Sequence, residues 1–129
     1  MTTRFYYFLM ALLAFCVLAL FMSFAARADG SDRMRHLAGE RGCSVCHREE
    51  PSPRAADEAA PLAPSWQEIA ARYRGHAGAE KRLTRVVMQG SDPAKRHWTN
   101  RLEFNSMQAN PRLTAREARA LVRWILSQR

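Results

Sequence analysis

Two cysteines two residues apart, followed at once by a histidine, constrain this chain more than any other feature: Cys43-Ser44-Val45-Cys46-His47. At this spacing each thiol can add across one of the two vinyl groups of a haem, and the next residue sets an imidazole under the iron as its proximal ligand. With 3 Cys and 4 His in 129 residues, composition alone would produce the pattern about 0.002 times per chain. The motif therefore predicts one covalently attached c-type haem carried by Cys43 and Cys46, with His47 on the iron. It also predicts a fold that must close around that group.

The N-terminal segment is of a different kind. After Arg4 an apolar run extends from Phe5 to Phe24, broken only by Ser23, and it ends at Ala26-Arg27-Ala28. A small-x-small triplet of this type is what signal peptidase cuts after, so residues 1–28 are expected to be a signal peptide and residues 29–129 the haem domain. The run is also long enough to span a bilayer, which leaves an uncleaved membrane anchor as the alternative. Arg27, Arg33 and Arg35 beyond it weigh against an anchor with that side outside. In both cases the domain is exported to the periplasm, and membrane contact arises only if the segment stays attached. Cys16, in the middle of the run, is a small hydrophobe there.

From Asp29 onward the chain holds 18 basic and 12 acidic residues, a formal charge of +6 carried almost entirely by arginine. Nucleic acid is the usual reading of a basic chain, but an exported domain has little access to it. A surface that meets acidic redox partners fits better, although a solvated helix face explains any single arginine. An exported chain could instead use the pair as a disulfide or as a thioredoxin-like redox site, but the latter wants a strand before it, and the flanks show no strand patterning. A structural zinc site would need further ligands at compact spacing, which His36, His76 and His97 do not supply.

The remaining pattern is helical. Met34, Leu37 and Ala38 fall at i, i+3 and i+4 in a first helix expected from about Asp32 to Gly42. Residues 49–61 read as a Pro- and Ala-rich surface loop. Ser65 and Glu68 form a capping box ahead of Trp66, Ile69, Ala70 and Tyr73. A third helix is expected over about Ala79 to Gln89, with Leu83, Val86 and Val87 on one face and Gly90 at its end. Residues 91–112 have no helical period and read as a long functional loop. Thr114 and Glu117 open the last helix with a second capping box, and Leu113 and Ala118 are placed as a hydrophobic staple. Ala118, Leu121, Val122 and Ile125 form its buried stripe with Trp124 beside it, while Arg112, Arg116, Arg119 and Arg123 recur elsewhere around it. The domain is expected to be all-α, and too thin in apolar residues to fill its own centre.

The sixth iron position could be taken by Met107, by His97 in the same loop region, or less readily by Met34 or Met88, which lie on helices. Gly42-Cys43-Ser44-Val45-Cys46-His47, Pro64-Ser65-Trp66-Gln67-Glu68-Ile69-Ala70-Ala71-Arg72-Tyr73, Met107-Gln108-Ala109-Asn110 and the closing Leu113 to Leu126 together resemble the short bacterial class I cytochromes c. The resemblance covers essentially all of residues 29–129. It implies the class I fold, with four to five short helices around one haem c, and His47 and Met107 as axial ligands. It further implies that the Pro64 carbonyl accepts the proximal imidazole N–H, that Asn110 supports the methionine loop, and that Trp98 contacts a propionate. Gln108 stands where the family usually has proline, so a less rigid loop is expected. Ala63 replaces the usual glycine before Pro64.

A His/Met-ligated haem has no open position, which implies an electron carrier between redox proteins rather than an enzyme. The alternatives are a dedicated haem subunit of a periplasmic dehydrogenase, for example a molybdenum-dependent sulfite dehydrogenase, and an open-site gas-binding or peroxidatic haem protein. The position of the motif after a single helix argues against the four-helix gas-binding cytochromes, whose motif lies near the C-terminus.

Overall fold

The structure is a computed structural model that describes residues 2–51, 60–95, 98, 102 and 106–129. The chain divides into two units, Met1–Arg33 and Met34–Arg129. Helix α1 (Thr2–Glu40) supplies the first unit and, through residues 34–40, the start of the second.

The first unit is a lone apolar helix, long and apolar enough to cross a membrane. Its large side chains face outward, with Phe15 and Phe24 more than 70% exposed. The Ser23 hydroxyl donates to the Ala19 carbonyl at 2.9 Å and so is satisfied within the helix.

The second unit is all-helical, and among the described residues there is no strand. The helix expected to begin at Asp32 is the last part of α1, because only Gly30 and Ser31 lie in the way. A single glycine costs a helix only about 1 kcal/mol relative to alanine. The helix ends at Glu40, two residues earlier than expected. Gly42 turns the chain there with φ 76°, a left-handed conformation open to glycine at little cost. A single 3-10 turn, Cys43–Val45, follows directly.

Helices α2 (Trp66–Tyr73), α3 (Ala79–Gln89) and α4 (Ala115–Leu126) match their sequence expectations. Both capping boxes form: Ser65 Oγ accepts from the Glu68 N–H at 3.1 Å, and Thr114 Oγ1 accepts from the Glu117 N–H at 3.2 Å. Helix α4 packs on both α2 and α3. The core is built from Ala38, Trp66, Leu113, Ala118, Leu121, Trp124 and Ile125. Leu113 and Ala118 are both in it, as a staple requires. Trp124, expected to flank the stripe, is itself a core residue at 8% exposure.

The core is thin. Among the described residues Val122 is the one larger side chain that is fully buried, and Ala38, Ala70, Ala79 and Ala118 occupy four of the buried positions. Met34, Leu37, Cys43, Ile69, Val87 and Met88 pack against it while remaining half exposed.

Candidate functional site

The 3-10 turn gathers the motif. The Cys46 and His47 N–H groups both donate to the Cys43 carbonyl, at 3.3 and 3.1 Å, so the backbone winds the two thiols and the imidazole onto one short coil. Both cysteines are free thiols, Cys43 half-buried and Cys46 exposed. Burial raises the Cys43 pKa and so favours its protonated thiol form.

The His47 ring is held on two sides. Its Nδ1 lies 2.7 Å from the Pro64 carbonyl oxygen. A carbonyl can only accept, so Nδ1 carries the proton and Nε2 is left as a lone pair for a metal. Its face stacks on Trp66, with centroids 4.6 Å apart and planes 19° from parallel. Trp66 in turn meets Trp124 edge-on at 5.9 Å. Desolvation pulls the His47 pKa down and the Pro64 contact partly opposes it, so the ring favours its neutral form. An open cavity of about 240 Å³ lies beside this stack and reaches Arg35 and Trp124; neither cysteine nor Met107 lines it.

Met107 is fixed by backbone contacts. Its N–H donates to Ser91 Oγ at 2.7 Å, and its carbonyl accepts from the Ser91 N–H at 2.9 Å. Gly90, with φ 83°, lies so close that a Cβ there would sit 2.9 Å from the Met107 oxygen and 3.1 Å from the Ala109 nitrogen. Three residues on, the Asn110 N–H donates to the Val87 carbonyl at 3.1 Å, and its side-chain amide donates to the Arg41 carbonyl at 2.9 Å. Asn110 thus ties the methionine loop both to α3 and to the residue two positions before Cys43, as the resemblance implies.

A second link joins the same two parts of the chain. Arg41 Nη2 lies 2.8 Å from Glu117 Oε1, while Glu117 Oε2 accepts from the Thr114 N–H and hydroxyl, each at 2.8 Å. The Arg41 bond and then the two Thr114 bonds pull the Glu117 carboxyl from 4.5 down to about 2. A carboxylate with a depressed folded pKa contributes stability above its ordinary value and loses that contribution as pH falls through the folded value. Glu117→Gln should therefore lower stability at neutral pH, with the gap to the wild type closing between about pH 4.5 and 2. Acid titration followed by far-ultraviolet circular dichroism checks this, and a gap that widened on acidification would contradict it.

The other sequence candidates lie elsewhere. Met34 and Met88 pack on the core. His36 faces Glu40 at 3.5 Å on exposed α1, and His76 meets the edge of Tyr73. His97 lies outside the described residues. Trp98 carries the Arg72 guanidinium 4.8 Å above its ring. Two contacts of the site have no counterpart in the sequence pattern: the stacking of Trp66 on His47 and the grip of Ser91 on Met107. In sequence Trp66 is only part of an apolar stripe, and a serine after a helix-ending glycine carries no distinctive signal.

These residues fit a c-type haem. Two free thiols share a coil with an imidazole whose Nε2 is available, and half-exposed Leu37, Ile69, Val87 and Met88 surround a core too thin to close alone. Fold and site together define a class I c-type haem domain. The Cytochrome c family model matches residues 32–129, and the chain belongs to that family. It is 37% identical over 90 residues to cytochrome c-551 of Allochromatium vinosum, covering 70% of this chain and 80% of that one. To cytochrome c2 of Rhodocyclus tenuis it is 32% identical over 91 residues, covering 70% and 87%. Among solved structures it resembles Nitrosomonas europaea cytochrome c552, with TM-score 0.57, 24% identity, and 74% and 99% of the two chains covered. It also resembles the class 1 cytochrome MtoD of Sideroxydans lithotrophicus ES-1, with TM-score 0.51, 29% identity, and coverage of 75% and 94%. Family membership makes the chain a mono-haem electron carrier with covalently bound haem c, rather than an enzyme.

Proposed function

We propose that this carrier works in the periplasm, with its iron held between His47 and Met107, and that it passes single electrons to partners with acidic docking surfaces. One observation carries the reading of Met107: its loop is bonded both to the end of α3 and, through Asn110, to Arg41 beside the haem motif. Through Asn110 that anchorage ties the methionine-bearing segment to Arg41, two residues before the haem motif. Met34 and Met88 are instead committed to core packing.

When bound, the haem supplies a one-electron iron couple whose potential a thioether ligand raises. The chain's own residues do the rest. Pro64 and Trp66 fix the tautomer and plane of His47, so the ring need not reorient when the charge on the metal changes. The half-buried apolar side chains packed on the core would supply apolar surface for the bound haem and keep water from it. On α4, Arg116, Arg119 and Arg123 are exposed, and Glu80 bridges two of them, at 3.9 Å to Arg119 and 3.0 Å to Arg123. One carboxylate shared between two guanidiniums leaves a net positive face, suited to steering an acidic partner. Residues 1–28 serve as the export signal, and a mass matching a start at Asp29 would distinguish cleavage from retention.

Absorption spectra of the oxidised exported protein test the ligation. A low-spin spectrum with a weak far-red charge-transfer band is expected. Met107→Ala should abolish the band and lower the potential by a sizeable part of the about 0.8 V that axial ligands span. Met88→Ala should keep both. A high-spin wild-type spectrum that shifts with carbon monoxide would overturn the reading.

A further inference from the structure

We propose that Ser91 is a positioning residue that holds Met107 at the iron; this rests on Met107 being the sixth ligand. The loop around Met107 has little stiffness of its own. Gln108 and Ala109 follow the methionine, neither fixes φ as a proline would, and both side chains are exposed. Ser91 supplies rigidity from outside by taking both backbone polar groups of Met107. Its hydroxyl oxygen accepts the Met107 N–H at 2.7 Å, and its own N–H donates to the Met107 carbonyl at 2.9 Å.

Two bonds to one residue fix orientation as well as position. A single bond would leave the Met107 peptide groups free to swivel, whereas the pair sets the direction of the Cα–Cβ bond and hence where the thioether can reach. Gly90 makes the approach possible, since a Cβ there would collide with the Met107 carbonyl. Ser91 itself sits on the residue after the last capped turn of α3, where Gly90 N–H donates to the Val86 carbonyl at 2.8 Å. The methionine is thus referenced to a helix end, and Asn110 fixes the loop separately three residues later. One bond depends on the serine hydroxyl, while the other is main-chain and would survive most substitutions.

The test is the rate at which added imidazole displaces the native sixth ligand of the ferric holoprotein, followed at the far-red band. Ser91→Ala leaves the Met107 N–H without its partner, and the displacement rate is expected to rise about fivefold to tenfold. Ser91→Thr, which restores the hydroxyl, should return within about twofold of wild type. Thr84→Ala, which removes an α3 hydroxyl bonded to the Glu80 carbonyl within the helix, should leave the rate unchanged. A purely structural serine would change the denaturation midpoint without changing imidazole entry.

An unchanged rate in Ser91→Ala, with the band present in wild type and lost in Met107→Ala, overturns the role of Ser91 alone. A wild type without the band overturns the ligation reading and this inference together. Should Ser91→Ala fail to mature, amide exchange in the ferrous wild type decides: the Met107 N–H must be protected, and a freely exchanging one overturns the proposal.

Discussion

Replacing Cys43 and Cys46 together with alanine should abolish covalent haem completely and leave a chain without fixed tertiary packing. Loss of haem follows directly from the chemistry, since no thiol remains on the 3-10 turn to form a thioether. Loss of packing follows from the thin core. Four of the buried positions are alanines, and the protein buries Leu37, Ile69, Val87 and Met88 only in part. Small domains bury a low fraction of their surface and depend on such additions for stability. Haem staining on a denaturing gel should be absent, and the near-ultraviolet circular dichroism of Trp66 and Trp124 should collapse. A double variant with wild-type aromatic dichroism would show that the helices pack without the haem. Each single variant should keep one thioether and an intermediate stability.

Trp66→Ala should have the largest effect among changes that leave the motif intact, costing about 3–5 kcal/mol. That is a large share of the roughly 5–15 kcal/mol by which domains are normally stable. The indole is 4% exposed, belongs to the core, and is the surface on which the His47 ring lies. Its removal opens a cavity beneath the imidazole and breaks the edge contact with Trp124. Trp66→Phe keeps most of the apolar area and a ring face for stacking, and should cost less than half as much. Guanidinium unfolding at matched haem content measures both. A Trp66→Ala midpoint close to that of Trp66→Phe would mean that the cavity collapses and that the stack contributes little.

The local features of this fold are legible in the amino-acid sequence. Ser65/Glu68 and Thr114/Glu117 are bonds between residues three apart, so their spacing alone announces the starts of α2 and α4. The Cys43–His47 motif is legible for the same reason. The bond from His47 to Pro64 follows from the family resemblance, not from spacing. The contacts of Met107 with Ser91, of Asn110 with Arg41 and of Glu117 with Arg41 span 16, 69 and 76 residues. Nothing in the local pattern of serine, asparagine or arginine announces such partners. The lack of proline after Met107 suggests a slack loop, yet external hydrogen bonds provide the anchorage that proline would have supplied. The first helix starts well before Asp32 because Gly30 and Ser31 weaken a helix without ending it.

The Arg41–Glu117 bond also imposes an order in time. Its two ends are 76 residues apart, so a chain emerging N-terminus first presents the Cys43–His47 coil before the helix that later braces it. At typical synthesis speeds the delay is roughly 4–15 s. For that interval both thiols remain accessible. Haem attachment to an emerging chain can thus precede the arrival of α4, and the Arg41–Glu117 bond then closes on a motif that already carries its haem.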